Sequence, residues 1–243
     1  MLPFLLLMGR VAAFISVAPI FGWRSLPTIS RAGIALLLTV FFAMISPPGP
    51  DLSHVGLLMG GILLAHEILT GLALGLAIDL VYSAAKQAGA LISVQMGLSE
   101  ADIYDPISGE GAEAMSLLFD MSFALLFLAG GGHHLLLRSV MHSYDVFPMA
   151  QGPSLAVMAD AMVGAGSTML LFALKLAAPV VAAFVVLSTV LAILARVLPE
   201  MNILFTSLPL RVGMGLLLAA AILPTLDEFA VDLADWISRG LLA

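Results

Sequence analysis

The sequence predicts an all-α membrane protein, and three observations carry the prediction. Hydrophobic residues make up 61% of the 243 positions and charged residues only 10%, a balance that excludes a soluble domain with a polar coat. The apolar residues gather into runs of helical length. Proline and glycine interrupt those runs, so the helices are expected to be broken and kinked and to fold as helical hairpins. At ~20 residues per span there is room for roughly six or seven helical segments in one compact unit, with no second soluble domain.

The formal charge of −7 and the absence of cysteine narrow the function further. Nucleic acid binding needs clustered bases, so it is excluded as a partner class. Without cysteine there are no disulfides and no thiolate metal sites. No cofactor is expected.

Met1 to Phe21 is apolar but lacks the basic start and small-residue cleavage site of a secretory leader, so it is read as a retained first helix carrying Arg10. Trp23, Arg24, Pro27 and Arg31 form a basic, aromatic turn suited to a membrane–water interface. Gly33 to Ile45 is the second run, closed by Pro47, Pro48 and Pro50. Gly56 to Tyr82 is the third, and in it Glu67, Gly71, Gly75 and Asp79 recur every four residues along one helical stripe. That stripe is a packing seam in which glycines let another backbone approach. Alternatively, Glu67 and Asp79 find cations inside protein, because a lone charge in hydrocarbon costs several kcal/mol. Arg10 and Lys175 are the candidate partners by depth.

Gly89 to Ala114 is the one sizeable polar insertion, read as a loop. It passes Gln95 and Gly97 and then carries Glu100, Asp102, Asp105, Glu110 and Glu113 without a base. Asp105-Pro106 and the glycines Gly109 and Gly111 forbid a single straight helix there. Met115 to Leu128 follows, broken by Gly130 to Gly132, then His133-His134, Leu135 to Met141, and a turn at His142 to Asp145. The adjacent histidines could ligate a metal, but no cysteine and no regularly spaced carboxylate joins them, so they read as a helix cap or as interfacial hydrogen-bonding groups.

Gly164 to Ala195 is too long for one perpendicular crossing, at about 48 Å for ~32 residues. Pro179 near its middle frees the carbonyl of Lys175, so one long bent helix or two half-length ones are expected. Arg196, Pro199 and Asn202 end it. Val212 to Leu223 reaches only ~18 Å, and an amphipathic tail with Asp227, Glu228, Asp232 and Asp235 follows. Segments of the wrong length survive at membrane depth only when buried in protein or lining a cavity, so the chain is expected to complete a larger assembly.

Enzymatic readings fail on spacing. His66-Glu67 opens a zinc-protease pattern, but Thr70 stands where its second histidine belongs. Gly152-Pro153-Ser154 lacks the closing glycine of a serine elbow. A secondary transporter or proton channel would use Glu67, Asp79, Arg10 and Lys175 as a relay around Pro179 and Pro209, but no internal repeat supports it. If connections alternate sides, Arg24, Arg31, Lys86, Arg196 and Arg211 share one face, cytoplasmic by the positive-inside rule, with Met1 outside.

Several pieces occur in a fixed order: Gly89-x-x-Ile92-x-x-Gln95-x-Gly97-Leu98-Ser99 before Asp105-Pro106, Glu67-x3-Gly71-x3-Gly75, Gly132-His133, Tyr144 with Pro148, Pro179, Pro199-x-Met201-Asn202 and Pro209-Leu210. Together they resemble the FliR family of flagellar and type III secretion export-gate proteins over nearly the whole chain. Arg211 departs from the family pattern, which often has lysine there, and keeps the charge.

The resemblance implies a FliP-like part over residues 1–165 fused to a FliQ-like hairpin over residues 166–243, in a helical export-gate cone in the bacterial inner membrane at the flagellar basal body. It implies FliP-like, FliQ-like and FlhB-like partners and unfolded export substrates. It also implies a channel plug at residues 103–112, in which Ile103, Tyr104, Pro106 and Ile107 supply bulk, Asp105 stays hydrated, and Gly109 and Gly111 let the loop swing. The virulence injectisome gate is the sister reading.

Overall fold

The computed structural model describes residues 2–22, 27–45, 54–98, 113–197 and 203–239. Its elements are α1 (Leu2–Val17), α2 (Thr28–Ile45), α3 (Leu57–Tyr82), α4 (Ala84–Met96), α5 (Glu113–Ala129), α6 (Gly132–Val146), α7 (Leu155–Val197), α8 (Ile203–Ile222) and α9 (Thr225–Arg239). Two compact units form rather than the single one expected. The first is Met1–Tyr82, Gly131–Thr168 and Leu233–Ala243; the second is Ser83–Gly130 and Met169–Asp232. Both are discontinuous in sequence, and residue 165 falls inside α7.

Among the described residues three helices are long and apolar enough to cross a membrane: Thr28–Ile45, the run Leu57–Met96, and Leu155–Val197. Two broken pairs, one meeting at Gly130 and Gly131 and the other near Leu223 and Pro224, raise this to five if each counts as one span. The six or seven helical segments expected are thus nine described helices, of which three to five make membrane-length spans. Several runs that read as separate in sequence are joined, and α1, at 16 residues, is short of a full crossing.

In the first unit α1 packs on α3, and the glycine stripe sets how closely. A Cβ added at Gly60 would meet Leu2, one at Gly9 would meet Leu64, one at Gly71 would land on the Arg10 carbonyl oxygen, and one at Gly75 would lie 3.1 Å from the Phe14 carbonyl oxygen. The two registers rise together, so the helices run parallel, backbone against backbone. Leu6, Leu7, Val11, Phe14 and Ile15 fill the seam from α1, and Ala77 and Ile78 from α3. The helix α2 lays a narrow stripe of Ala35, Thr39 and Phe42 on α1 and leaves Leu37, Phe41 and Met44 exposed.

In the second unit α4 buries Ala84, Ala88, Ile92 and Met96 at every fourth position, with Ala85, Gly89 and Ser93 alongside. Small residues along that face admit α5. A Cβ on Gly89 would stand 2.7 Å from the Met115 carbonyl oxygen and 2.9 Å from Ser116 Cα. Gly89→Val is therefore expected to push α4 off α5 and to cost about 1–3 kcal/mol as overpacking. The drop in unfolding midpoint of the detergent-solubilised protein measures it. Phe123, Phe172 and Phe229 close the core, with ring centroids 4.6 Å apart for Phe123–Phe229 and 5.2 Å for Phe172–Phe229.

The structure corrects several expectations. Residues 89–96, read as the start of a loop, are helical and end at Gly97. Gly97 has φ 78°, a left-handed conformation that glycine adopts without the Cβ clash, and its N–H reaches the carbonyls of Ser93 and Val94. The turn expected at His142 to Asp145 is the last part of α6. The Pro179 segment is one unbroken helix of 43 residues beginning at Leu155 rather than Gly164. Ser154 stands at its N-cap, with Oγ 3.4 Å from the Val157 N–H. The short run from Val212 extends back through Arg211 to Ile203, with Pro209 inside the helix. Lys86 and Arg211 consequently lie within α4 and α8 rather than in connections, and the alternating-side count of bases fails.

Candidate functional site

The polar centre of the first unit is built around Arg10 on α1 and Glu67 on α3, both 0% exposed. Because Gly71 lets the α1 backbone close in, the Glu67 carboxylate, one turn earlier on α3, lies against the Arg10 side chain. Arg10 Nε donates to Glu67 Oε2 at 2.6 Å. Arg10 Nη1 donates to the carbonyls of Ser143 and Phe147, each at 3.0 Å, and lies 3.3 Å from Ser143 Oγ. The guanidinium stacks 4.1 Å from the centroid of Tyr144, whose hydroxyl donates to the Leu7 carbonyl at 3.1 Å. Such a planar donor fork satisfies several acceptors at once, which a lysine cannot do.

The other Glu67 oxygen accepts the Ala150 backbone N–H at 3.0 Å, so both carboxylate oxygens are satisfied. Ala150 holds a left-handed φ of 67°, presenting its N–H to that oxygen. One residue earlier on α3, His66 Nε2 lies 3.1 Å from the Pro153 carbonyl, and Gly152 leaves room for the imidazole. His66 and Glu67 therefore hold different parts of the turn after α6. The cluster ties together α1, α3, α6 and residues 147–153. Its acid and base neutralise each other out of contact with water, so its chemistry is that of a structural joint.

The remaining residues singled out from the sequence lie elsewhere. Asp79 is partly buried on α3 and engaged. Lys175, offered as a partner for the α3 acids, instead approaches Asp232 at 3.3 Å in the second unit, with side chains 74% and 45% exposed. Pro179 lines a cavity of about 170 Å³ beside that pair. An exposed pair of this kind contributes only ~0–1 kcal/mol. With Arg10, Glu67 and Asp79 in one unit and Lys175 in the other, neither unit contains the four-charge relay. Gln95 offers its carbonyl to Arg211 Nη1 at 3.5 Å near the end of α4. Ile103, Tyr104, Asp105, Pro106, Ile107, Gly109, Gly111, Pro199 and Asn202 lie outside the described residues.

Sequence reasoning missed Ser143, Phe147, Ala150 and Pro153 as parts of the joint. Each contributes mainly a backbone group, and backbone groups leave no signature in residue type. The proline and glycine density after Val146 is the only local signal that the chain there takes a specific path.

Fold and site together define an α-helical membrane protein whose α1–α3 crossing is locked by a buried ion pair. The chain belongs to the family of bacterial export proteins, family 1, which it matches over residues 1–235. It is 33% identical over 226 residues to the flagellar biosynthetic protein FliR of Escherichia coli (strain K12), covering 92% of this chain and 85% of that one. It is 33% identical over 221 residues to FliR of Bacillus subtilis (strain 168), covering 88% and 83%. A Yersinia pestis relative, Yop proteins translocation protein T, is 27% identical over 223 residues, covering 90% and 84%.

Proposed function

We propose that this chain is a structural and gating subunit of the flagellar type III protein export gate, helping to form and close the channel that passes unfolded flagellar proteins. The observation that carries the reading is the 33% identity to a flagellar biosynthetic protein across 92% of the chain. The structure supports it through its surface. Leu57, Leu58, Leu37, Met44, Leu171 and Val163 are all more than two-thirds exposed, which calls for acyl chains or neighbouring subunits to cover them.

In this reading the protein sits in the bacterial inner membrane at the flagellar basal body. FliP-like and FliQ-like subunits complete its short and broken helices, a FlhB-like protein associates, and the role is architectural rather than enzymatic. The parts over residues 1–165 and 166–243 correspond to the two partner types. Removing the gene should abolish swimming and filament-protein export, and the intact gene should restore both. Normal motility in the deletion strain would refute the assignment.

The Yersinia relative favours a second reading, a virulence injectisome gate. The same deletion separates the two, since loss of effector secretion with intact motility selects the injectisome. Residues 103–112 act as the plug in either reading, on family resemblance. Deletion of Tyr104 to Gly111 is expected to make the membrane leak small ions, read as a faster collapse of an imposed ion gradient; an unchanged gradient removes the plug role.

A further inference from the structure

We propose that a cavity between α6 and the end of α9 binds a phosphate group, supplied either by a phospholipid headgroup or by free inorganic phosphate. The cavity measures about 210 Å³ and is lined by Leu135, Arg138, Ser139 and His142 from α6 and by Ile237 and Ser238 from α9. That is well above the ~10–15 Å³ that admits one water. Arg138 and His142 are four residues apart and so share one face of α6.

The donors available there suit an anion. Arg138 is exposed and makes no hydrogen bond or ion pair with a described residue, and it is a base in a chain whose formal charge is −7. His142 uses Nδ1 on Asp145 at 3.3 Å, which leaves Nε2 for a ligand. The hydroxyls of Ser139 and Ser238 already donate to the carbonyls of Leu136 and Asp235, so Arg138 is the side chain that selects charge. Arginine presents a planar fork matched to phosphate oxygens.

The position of the cavity suits a headgroup. The helix α6 starts after a glycine break at Gly131, φ 77°, and carries His133, His134, Arg138, His142 and Asp145, whereas α5 before that break is almost wholly apolar. The helix α9 leaves α8 at a 52° bend and presents Leu226, Phe229, Leu233 and Ile237 inward with acids outward. A polar helix following an apolar one, with Trp236 on α9 beside it in the chain fold, suits the membrane–water interface, where phosphate headgroups are. Leu135 and Ile237 supply apolar wall for the glycerol and first acyl carbons.

The test is native mass spectrometry of the full-length chain in detergent, titrated with phosphatidylglycerol, with phosphate-free diacylglycerol, or with inorganic phosphate. The parent is expected to retain phosphatidylglycerol saturably and diacylglycerol poorly. Arg138→Gln should weaken retention about tenfold, the value of one charged hydrogen-bonding partner, and His142→Ala should weaken it less. Arg196→Gln, which removes an exposed charge from α7, should change nothing. Arg138-dependent binding of inorganic phosphate alone would identify the soluble source; binding of the lipid alone would identify the headgroup. Equal retention by the parent and Arg138→Gln, equal loss in Arg196→Gln, or equal uptake of diacylglycerol would each overturn the proposal. Matching unfolding midpoints for the parent and Arg138→Gln certify that the comparison is between folded proteins.

Discussion

Glu67→Ala is expected to destabilise the protein by about 3–5 kcal/mol, the cost of leaving one member of a buried ion pair uncompensated. The substitution strands the Arg10 guanidinium, 0% exposed, and also removes the acceptor for the Ala150 N–H. A loss of this size approaches the whole stability of an ordinary domain, so the variant should accumulate poorly and be cut rapidly by trypsin in detergent. Replacing both partners, as in Arg10→Met with Glu67→Met, should be less damaging than Glu67→Ala alone, because no naked charge remains inside. An unfolding midpoint for Glu67→Ala equal to that of the parent would remove the ion pair from the account.

Gly71→Leu should separate α1 from α3. A single Cβ at Gly71 already falls on the Arg10 carbonyl oxygen, and that atom belongs to backbone, which cannot rotate away. The expected cost is about 1–3 kcal/mol of overpacking or more, since the shift also lengthens the Arg10–Glu67 contact. Gly61→Leu is the matched control: a Cβ there meets nothing within 4 Å, on the same helix and in similarly apolar sequence. Cysteine pairs placed across α1 and α3 would report the separation directly, as slower crosslinking in Gly71→Leu and unchanged crosslinking in Gly61→Leu. Equal rates in the two variants would show that the glycine is not what sets the crossing.

Helix content and membrane character are legible in the sequence because they rest on composition and on run length, both local properties. The four-residue spacing of Glu67, Gly71 and Gly75 is legible for the same reason, and it places these residues on one face of α3 before any partner is known. Choosing between Arg10 and Lys175 as company for the acids is not a local matter. Depth along a run gives height in the membrane but not which helix lies alongside, and Lys175 is held by Asp232 in the other unit. The end of α7 at Val197 was legible from Arg196 and Pro199, but its start at Leu155 was not, and the start of α8 escaped because Arg211 was read as a boundary. In the structure Pro209 and Arg211 lie inside α8, where Arg211 finds the Gln95 carbonyl and Ser188. The turn at residues 147–153 escaped because its part in the joint is played by carbonyls and one N–H.

The most direct measurement is purification of the tagged full-length chain from its native membranes in mild detergent, followed by identification and mass of the complex. A hetero-oligomer is expected, containing FliP-like and FliQ-like subunits that cover the exposed faces of α2, α3 and α7. Recovery of a stable, monodisperse single chain with no companion would contradict it.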